Sequence, residues 1–570
     1  IAIAGVQPQN LKLWDAISGQ RALDISYSGN EAPLICTGKE HDRVYAYSTV
    51  HTFAYQLRCA QPLQTDPGPP TPEPMSQLSN AAAPFSAFVP GAQILSCFAL
   101  SNDQQHIAVV ETAGVHDQQT VPENYRARLR KLNVSDGQET ARWTCTLLSS
   151  GENSNTLTER ESVTFIGDGR IAFTTAALGN IAVASQDGFQ FPSGVGIDVT
   201  QQSPIVATAN SASWMGMRVP EVSATNGFRP AIAMKLPRGL TQSKERLLLR
   251  LIAGETVHQY DLADQHLDSS GWHLVCLDHF VEALEPGAWR VEATLVESDL
   301  KLALNSDQSV ANGESVIQLG HLYLLPSKQL KRGRTAPVFP LRLGPLVPRK
   351  DGGLAAVVES WTLHQWGPEL SESTSTPWRD FANSEEDIRG IALGHDGLFV
   401  GTDSGLVAFV QPDGSQELIE RAHTEKGNYD SRDGVRAAAL AEDAGLVVAG
   451  TLRGQIKLYN LQQKNGAPIS VLDAHDREIV ALTMTPDGQT LASGSADGVL
   501  RIWRRRDETF ELFYELTSAR TPVVKLKLSQ SGNELYLLRK GERGVRRIDL
   551  QQLHRHFFYM GIGWEKQSKD

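Results

Sequence analysis

The feature that most constrains this chain is a short pattern that returns four times in its C-terminal part. A glycine followed by an alternating apolar run occurs at positions 405, 454, 498 and 544, at intervals of 49, 44 and 46 residues. A run of small and apolar residues precedes each copy: LFVGTDSG (398–405), LVVAGTLRG (446–454), TLASGSADG (490–498) and ELYLLRKGERG (534–544). A period of about 40–45 residues indicates repeated sheets that are stable only when stacked on one another. The pattern predicts four consecutive repeat units over residues 378–553.

One unit is more complete than the others. Residues 470–507 read SVLDAHDREIVALTMTPDGQTLASGSADGVLRIWRRRD. An alternating run over 479–484 is followed by Pro486, Asp487 and Gly488, which favour a tight turn, and a second such turn at 496–498 separates two further runs. Three short runs joined by tight turns predict an antiparallel meander. The stretch resembles the WD-repeat family, in which each repeat forms one blade of a β-propeller.

This resemblance implies roles for particular side chains. In the family a His, an Asp, a Ser or Thr and a Trp form a hydrogen-bonded chain that locks one blade. The matching residues here are His475, Asp497, Trp503 and either Ser493 or Ser495, with Ala474 where Gly is usual and Arg504 where the final Asp is usual. These residues are expected to be structural, because buried polar groups need partners. Their likeness to a catalytic Ser-His-Asp set is one of composition.

Weaker repeat units precede this region. The first fifteen residues end in a Trp14-Asp15 pair, and three further units are predicted within 33–190. Between 191 and 330 the period breaks while alternation persists, over a length that suits one domain. The sequence therefore predicts an all-β chain: a seven- or eight-bladed β-propeller with an inserted β-sandwich, immunoglobulin-like or jelly-roll, and a short C-terminal helix. The predicted domains are N-terminal blades (1–190, with a Pro-rich loop at 61–90), the sandwich (191–330), C-terminal blades (331–553) and a helix or tail (554–570).

The C-terminal tail gives two further expectations. Leu550, Leu553, Phe557 and Met560 share one face of a predicted helix. The stretch 549–564 resembles tails of large bacterial WD-repeat proteins, especially those of planctomycetes, some of which carry a kinase domain upstream. The chain begins with Ile1 inside a repeat unit, so the native polypeptide is expected to extend upstream or to be processed.

Bulk properties limit the possible functions. The formal net charge is −12, which argues against a general nucleic-acid-binding surface. No apolar run reaches the length of about 18–20 residues that a membrane span requires. The five cysteines are scattered, which argues against a zinc ribbon or a disulfide-built fold and favours a reducing, cytoplasmic compartment, with export left open. Phosphate-loop, HExxH, GxSxG and dinucleotide motifs do not occur. The sequence thus predicts no enzymatic activity, cofactor or metal.

The leading hypothesis is a non-catalytic protein-interaction scaffold. Binding residues would lie on loops, and Arg389, Arg432 and Arg477 are the candidate partner-binding residues, since arginine is common at binding hot spots. One alternative is an exported ligand- or carbohydrate-binding protein that uses the sandwich, with Trp214 as the candidate for ligand stacking. Trp272 and Trp289 lie in strand-like runs and are predicted to fill the sandwich core. A further alternative is the recruiting or regulatory part of a longer enzyme such as a kinase.

Overall fold

The computed structural model describes residues 94–113, 124–149, 161–198, 343–371, 398–420, 434–461, 467–516 and 521–553, with short internal gaps. It also describes the backbone of the other strands given below, with the side chains at 230–235, 248–250, 271–277 and 321–325. These residues are all-β, apart from a 3-10 turn at Gly167–Gly169 and a helical start at 550–553. The chain divides into two compact units, one formed by 1–92 with 389–570 and the other by 93–388.

The first unit opens with two three-stranded antiparallel sheets and one short strand. The strands are β1 (Ala2–Gln7), β2 (Asn10–Asp15), β3 (Arg21–Ser26), β4 (Leu34–Thr37), β5 (Arg43–Tyr47), β6 (Thr52–Gln56) and β7 (Phe85–Ala87). The sheets are β1-β2-β3 and β4-β5-β6. Side chains of these strands lie outside the described residues, as does the Pro-rich segment that precedes β7.

The second unit begins with two antiparallel meanders. Their strands are β8 (Ile94–Leu100), β9 (His106–Ala113), β10 (Asn124–Asn133), β11 (Glu139–Ser149), β12 (Ser162–Phe165), β13 (Ile171–Thr174), β14 (Ile181–Ser185) and β15 (Gly188–Gln190). Strand β8 contacts β12, and an apolar cluster that includes Val110, Leu129, Phe165 and Phe173 joins the two meanders. The first strand of one meander therefore lies beside the first strand of the next, as in propeller blades.

The following segment forms strands with a different topology. They are β16 (Ile197–Asp198), β17 (Ile205–Thr208), β18 (Ser211–Arg218), β19 (Gly227–Leu236), β20 (Arg246–Ala253), β21 (Thr256–Leu262), β22 (Gly271–Asp278), β23 (Ala288–Val296) and β24 (Gln318–Ser327). One group forms a five-stranded sheet, β17-β18-β23-β20-β21. The other group, β16-β24-β19-β22, is joined to β8–β11 because β22 pairs in parallel with β11, from Trp143↔Trp272 to Ser149↔Asp278. Half of the segment therefore extends the sheet of a neighbouring repeat unit to eight strands.

A further meander completes the second unit. Its strands are β25 (Leu343–Pro348), β26 (Leu354–Val358), β27 (Thr362–Trp366) and β28 (Ser373–Pro377). Strand β25 contacts β12, and Trp366 is fully buried in the apolar cluster between the two meanders. The apolar cores of this unit therefore lie between successive sheets.

The rest of the first unit contains the four repeats that the sequence pattern predicts. The strands are β29 (Ile388–Leu393), β30 (Leu398–Thr402), β31 (Val407–Val410), β32 (Gln416–Glu420), β33 (Val435–Ala441), β34 (Leu446–Thr451), β35 (Gln455–Asn460), β36 (Ser470–Asp473), β37 (Ile479–Met484), β38 (Thr490–Ser495), β39 (Leu500–Arg506), β40 (Thr509–Leu516), β41 (Val523–Leu528), β42 (Glu534–Arg539) and β43 (Arg546–Asp549). They form the sheets β29–β32, β33–β36, β37–β40 and β41–β43, in antiparallel order. Contacts of β30 with β33, β33 with β37 and β37 with β41 give the propeller arrangement.

The last sheet takes its fourth strand from the N-terminal part of the chain. Strand β7 pairs with β43 through Phe85↔Ile548, Ser86↔Arg547 and Ala87↔Arg546. An open strand edge is a liability for association, and β7 covers this one. Strand β7, which precedes the Gln93–Ile388 unit in the sequence, therefore completes the last sheet.

The described start of the C-terminal tail agrees with the predicted apolar face. Leu550 and Leu553 are buried against the last sheets. Asp549 accepts a hydrogen bond from the backbone N–H of Gln552 at 2.8 Å, which is the geometry of a helix N-cap. Phe557, Met560 and the rest of the tail at 554–570 lie outside the described residues.

Candidate functional site

The repeat at 470–507 contains a buried chain of three polar side chains. His475 Nε2 and Ser493 Oγ lie 2.7 Å apart, and Trp503 Nε1 donates to the same Oγ at 2.8 Å. Ser493 Oγ therefore links the two rings: it accepts the Trp503 N–H, and the imidazole tautomer sets which atom donates in its bond with His475 Nε2. Burial, followed by the nearby charge of Arg501, lowers the pKa of His475 to about 4. The imidazole is therefore neutral at neutral pH, as a structural link requires.

Two other residues that the sequence groups with this chain lie apart from it. Ser495 is fully buried, and its Oγ has no hydrogen-bond partner among the described residues. Asp497 uses Oδ1 to accept the backbone N–H of Val499 at 3.0 Å, which fixes the turn between β38 and β39. Of the two serines that the sequence leaves open, Ser493 is the one bonded to both His475 and Trp503.

A glycine turn brings the loop before β37 against the preceding sheet. Gly454 has φ +82, and a Cβ at this position would collide with the carbonyl oxygen of His475. The same approach lets the backbone N–H groups of Ala474 and His475 donate to the Gly454 carbonyl at 3.0 and 2.8 Å. A side chain at position 454 would therefore separate the two segments that border the groove described next.

The groove has a volume of about 1190 Å³ and lies where the turns before β35 and after β38 meet the loop before β37. We call it the repeat groove. Its lining comes from three segments: Leu452, Arg453 and Gln455 before and within β35, Asp476, Arg477 and Glu478 before β37, and Ala496 and Asp497 after β38. Arg453 and Asp497 occupy the same place in successive repeats, each directly before the turn glycine. That shared position is the sequence signal that could have identified them.

Charges of both signs line the repeat groove. Glu478 faces Arg436 at 3.7 Å, whereas Asp476 and Arg477 are exposed. For Arg477 the described part of the chain records neither a hydrogen bond nor an ion pair of its side chain. An exposed arginine that is not committed to an internal partner is available to a binding partner.

The structure does not bring the other candidate arginines into this groove. Arg389 lies within β29 rather than before it, and its side chain is outside the described residues. Arg432 lies outside them altogether. Of the three candidates from the sequence, Arg477 is therefore the one whose surroundings are known.

The tryptophans of the 191–330 segment have different surroundings. Trp214 pairs with Ile205 and Val291 at a register shift in β18, but its side chain and that of Trp289 lie outside the described residues. Trp272 is half-buried, and its Nε1 donates to the Gln186 carbonyl at 3.1 Å. Trp143 Nε1 donates to Ser185 O at 2.8 Å and Tyr323 Oη to Phe189 O at 2.7 Å. Three strands of the eight-stranded sheet thus bind one hairpin, β14–β15, a contact that sequence reasoning missed.

Among the described residues, no group of three or more His, Cys, Asp or Glu side chains is placed to hold a metal ion. No helix found there is long and apolar enough to cross a membrane.

The fold and groove are those of a repeat protein made of blade-like sheets, and comparisons with known proteins agree. Residues 466–504 match the family model described as WD domain, G-beta repeat. The anaphase-promoting complex subunit cdc20 of Dictyostelium discoideum is 29% identical over 154 residues, which cover 26% of this chain and 28% of that protein. The target of rapamycin complex subunit wat1 of Schizosaccharomyces pombe is 23% identical over 163 residues, which cover 28% and 48%. The chain spans less than half the length of these relatives. These matches support a WD-repeat β-propeller.

Two solved structures show a weaker likeness. The WD40 repeats of RRP9 give a TM-score of 0.39 at 11% identity, covering 82% of this chain and 97% of that one. A chain of the mitotic checkpoint complex gives a TM-score of 0.28 at 19% identity, covering 34% and 56%.

Proposed function

We propose that this chain is a non-catalytic protein-interaction scaffold built on a WD-repeat β-propeller. The observation that carries the proposal is the repeat groove, where Arg477 is exposed, has no side-chain partner among the described residues and lies between two turns of successive repeats. Two of the matched relatives are named as subunits of complexes, the anaphase-promoting complex and the target of rapamycin complex. Loops on a rigid stacked core are well suited to bind a partner protein.

The finer architecture is part of this proposal. We propose a ring of seven or eight blades, an inserted β-sandwich over 191–330, and blade domains at 1–190 and 331–553. Support comes from the stacked four-stranded sheets on both sides of the insert and from the five-stranded sheet within it. The parallel β11–β22 pair implies that the sandwich and the neighbouring blade share one sheet.

The proposed roles of single residues follow from their surroundings. His475, Ser493 and Trp503 lock one blade, while Asp497 shapes the adjoining turn and Ser495 fills buried space. Arg477 is the proposed partner-binding residue of the groove, and Arg389 and Arg432 are proposed for the corresponding loops of earlier repeats. No nucleic acid is proposed as a partner, because the chain carries a formal net charge of −12.

The test compares Arg477→Gln with a matched control, Arg506→Gln. Arg506 is also an exposed arginine, but it pairs with Glu511 at 2.9 Å on another surface. Each variant and the unaltered chain would be used as bait in native lysate from the source organism, and bound proteins would be quantified by mass spectrometry. We expect Arg477→Gln to lose about tenfold or more of the specifically bound protein, the range for one interfacial charge contact. Arg506→Gln should retain it.

Two results would contradict the proposal. Equal recovery by Arg477→Gln and by the unaltered chain would remove the repeat groove as the partner site. The absence of specific protein on all three baits would count against the scaffold itself.

The alternatives from the sequence have less support. The carbohydrate-binding hypothesis depends on Trp214, and Trp272 of the same segment already uses its indole N–H within the chain. A glycan array with the intact chain would test it. The sequence of the full native polypeptide would test both the kinase-linked alternative and the resemblance to planctomycete proteins.

A further inference from the structure

A second, smaller pocket lies between the β37–β40 sheet and the last sheet. Its volume is about 400 Å³. Its lining comprises Ile502 and Arg504 of β39, Phe513 and Tyr514 of β40, and Leu550 and Gln551 after β43, with Thr490, Gly532 and Asn533 at the rim. We call it the Arg504 pocket. Both sheets belong to the same compact unit, so the two walls keep a defined relation.

Arg504 differs from the two arginines that follow it. Arg505 Nε donates to Asp507 O at 2.9 Å, and Arg506 pairs with Glu511 at 2.9 Å. The Arg504 guanidinium instead lies 3.7 Å from the centroid of the Phe513 ring. Among the described residues no hydrogen bond or ion pair of the Arg504 side chain is recorded, and Glu511, its cross-strand partner, pairs with Arg506 instead.

The cation–π contact orients Arg504 without using its hydrogen bonds. A guanidinium held against an aromatic ring keeps its N–H groups available for a planar acceptor such as a carboxylate. Partial burial lowers the pKa of Arg504, while the residue as a whole remains exposed and accessible to an anion.

The rest of the pocket is neutral and partly apolar. Among the described lining residues, Phe513 is a partly buried aromatic side chain, Asn533 and Gln551 supply neutral polar groups, and none is Asp or Glu. A cation beside an accessible aromatic side chain complements an acidic side chain that has an apolar neighbour.

We propose that the Arg504 pocket binds an acidic segment of a partner protein, with a carboxylate paired to Arg504 and the adjacent apolar side chain against the partly buried Phe513. This site is separate from the repeat groove, and it can hold whether or not that groove binds a partner. A single cation in a small pocket fits a peptide side chain better than the repeating phosphates of a nucleic acid, which require several basic contacts.

The experiment measures binding of two fluorescent peptides to the intact chain by anisotropy. One peptide has a central Phe-Asp pair among small neutral residues, and the other is identical except for Phe-Asn. We expect saturable binding of the first peptide and about tenfold or more weaker binding of the second, the range for loss of one charge-assisted hydrogen bond. Arg504→Gln should abolish the difference between the two peptides.

The controls separate this site from the repeat groove and from unfolding. Arg506→Gln removes a nearby charge that is already paired, and Arg477→Gln alters the repeat groove; both should preserve the preference for Phe-Asp. Thermal unfolding of Arg504→Gln should match the unaltered chain, since Arg504 is exposed. Equal affinity for both peptides, equal loss in Arg506→Gln, or no saturation with either peptide would overturn the proposal.

Discussion

The last two sheets of the chain fill equivalent buried positions with different side chains. Ser493 of the β37–β40 sheet is equivalent to Leu537 of the last sheet, because the two residues hold matching places in the strand pairing. Ser493 pairs with Leu482 in one sheet as Leu537 pairs with Leu526 in the other. In the same way Trp503 corresponds to Ile548. One sheet holds a buried hydrogen-bonded chain at these positions, and the other holds aliphatic side chains that are fully buried.

At a second position two sheets have a small polar side chain and the last sheet has an arginine. Thr451, Ser495 and Arg539 end the second strands of three successive sheets, and all three are buried. The Arg539 Nη1 donates to Gly498 O of the preceding sheet at 2.7 Å and to Thr521 O, just before β41 of its own sheet, at 3.1 Å. Burial lowers the pKa of Arg539 to about 10, which still leaves it charged at neutral pH.

The comparison shows that stacking constrains these repeats more than any polar motif does. A buried polar chain is tolerated where each member has a partner, and an aliphatic set replaces it where volume is filled. The last sheet lacks the motif but gains a charged link to its neighbour. Its stability should therefore depend on packing volume and on one arginine.

The largest expected effect is on the stability of the last sheet, where the equivalent positions are aliphatic. Leu537→Ala should lower the free energy of unfolding by about 2–5 kcal/mol, because it removes buried apolar atoms and leaves a cavity. The matched change Ser493→Ala should cost about 1–3 kcal/mol, because it leaves two buried polar groups without a partner. Equilibrium urea unfolding of the two variants gives the comparison. A larger loss for Ser493→Ala would mean that the polar chain, not packing, dominates.

A smaller effect is expected at the link between the sheets. Arg539→Met keeps much of the side-chain volume but removes the N–H group that donates to Gly498 O and Thr521 O, at a cost of about 2 kcal/mol. Relief of the buried charge offsets part of that loss. Hydrogen exchange of the β41–β43 amides would show faster opening of this sheet. The control Arg543→Met changes an exposed arginine nearby; equal exchange in both variants would show that the Arg539 hydrogen bonds contribute nothing.

Much of this region could be predicted because its determinants are local. The four repeats follow from turn glycines and alternation, and β33 shows the expected alternation of buried and half-buried residues. The repeat groove is less predictable, because Arg453 looks like an ordinary turn residue and the family resemblance assigns Asp497 to the blade lock, until the turns are placed beside Arg477. The β11–β22 and β43–β7 pairs join distant segments, and no local pattern records such pairing. Arg539 breaks the small-residue pattern of its position, and the sequence alone does not show which carbonyls it reaches.

The smallest expected effect is a pH dependence that belongs to the polar chain alone. Folding lowers the pKa of His475 from its ordinary value of 6.5 to about 4, so the unfolded chain takes up a proton in a pH range where the folded chain does not. Its contribution is therefore fully present above pH 6.5 and is lost as the pH falls toward 4. Between about pH 7 and about pH 5.5 the loss should be about 1 kcal/mol.

His475→Gln removes the titrating group, so unfolding measured across this range should show a shallower pH dependence in that variant. Leu537→Ala, which changes the sheet without the polar chain, should keep the dependence of the unaltered chain. An unchanged slope in His475→Gln would assign the pH dependence to other groups and would mean that the buried imidazole is not held neutral by the fold.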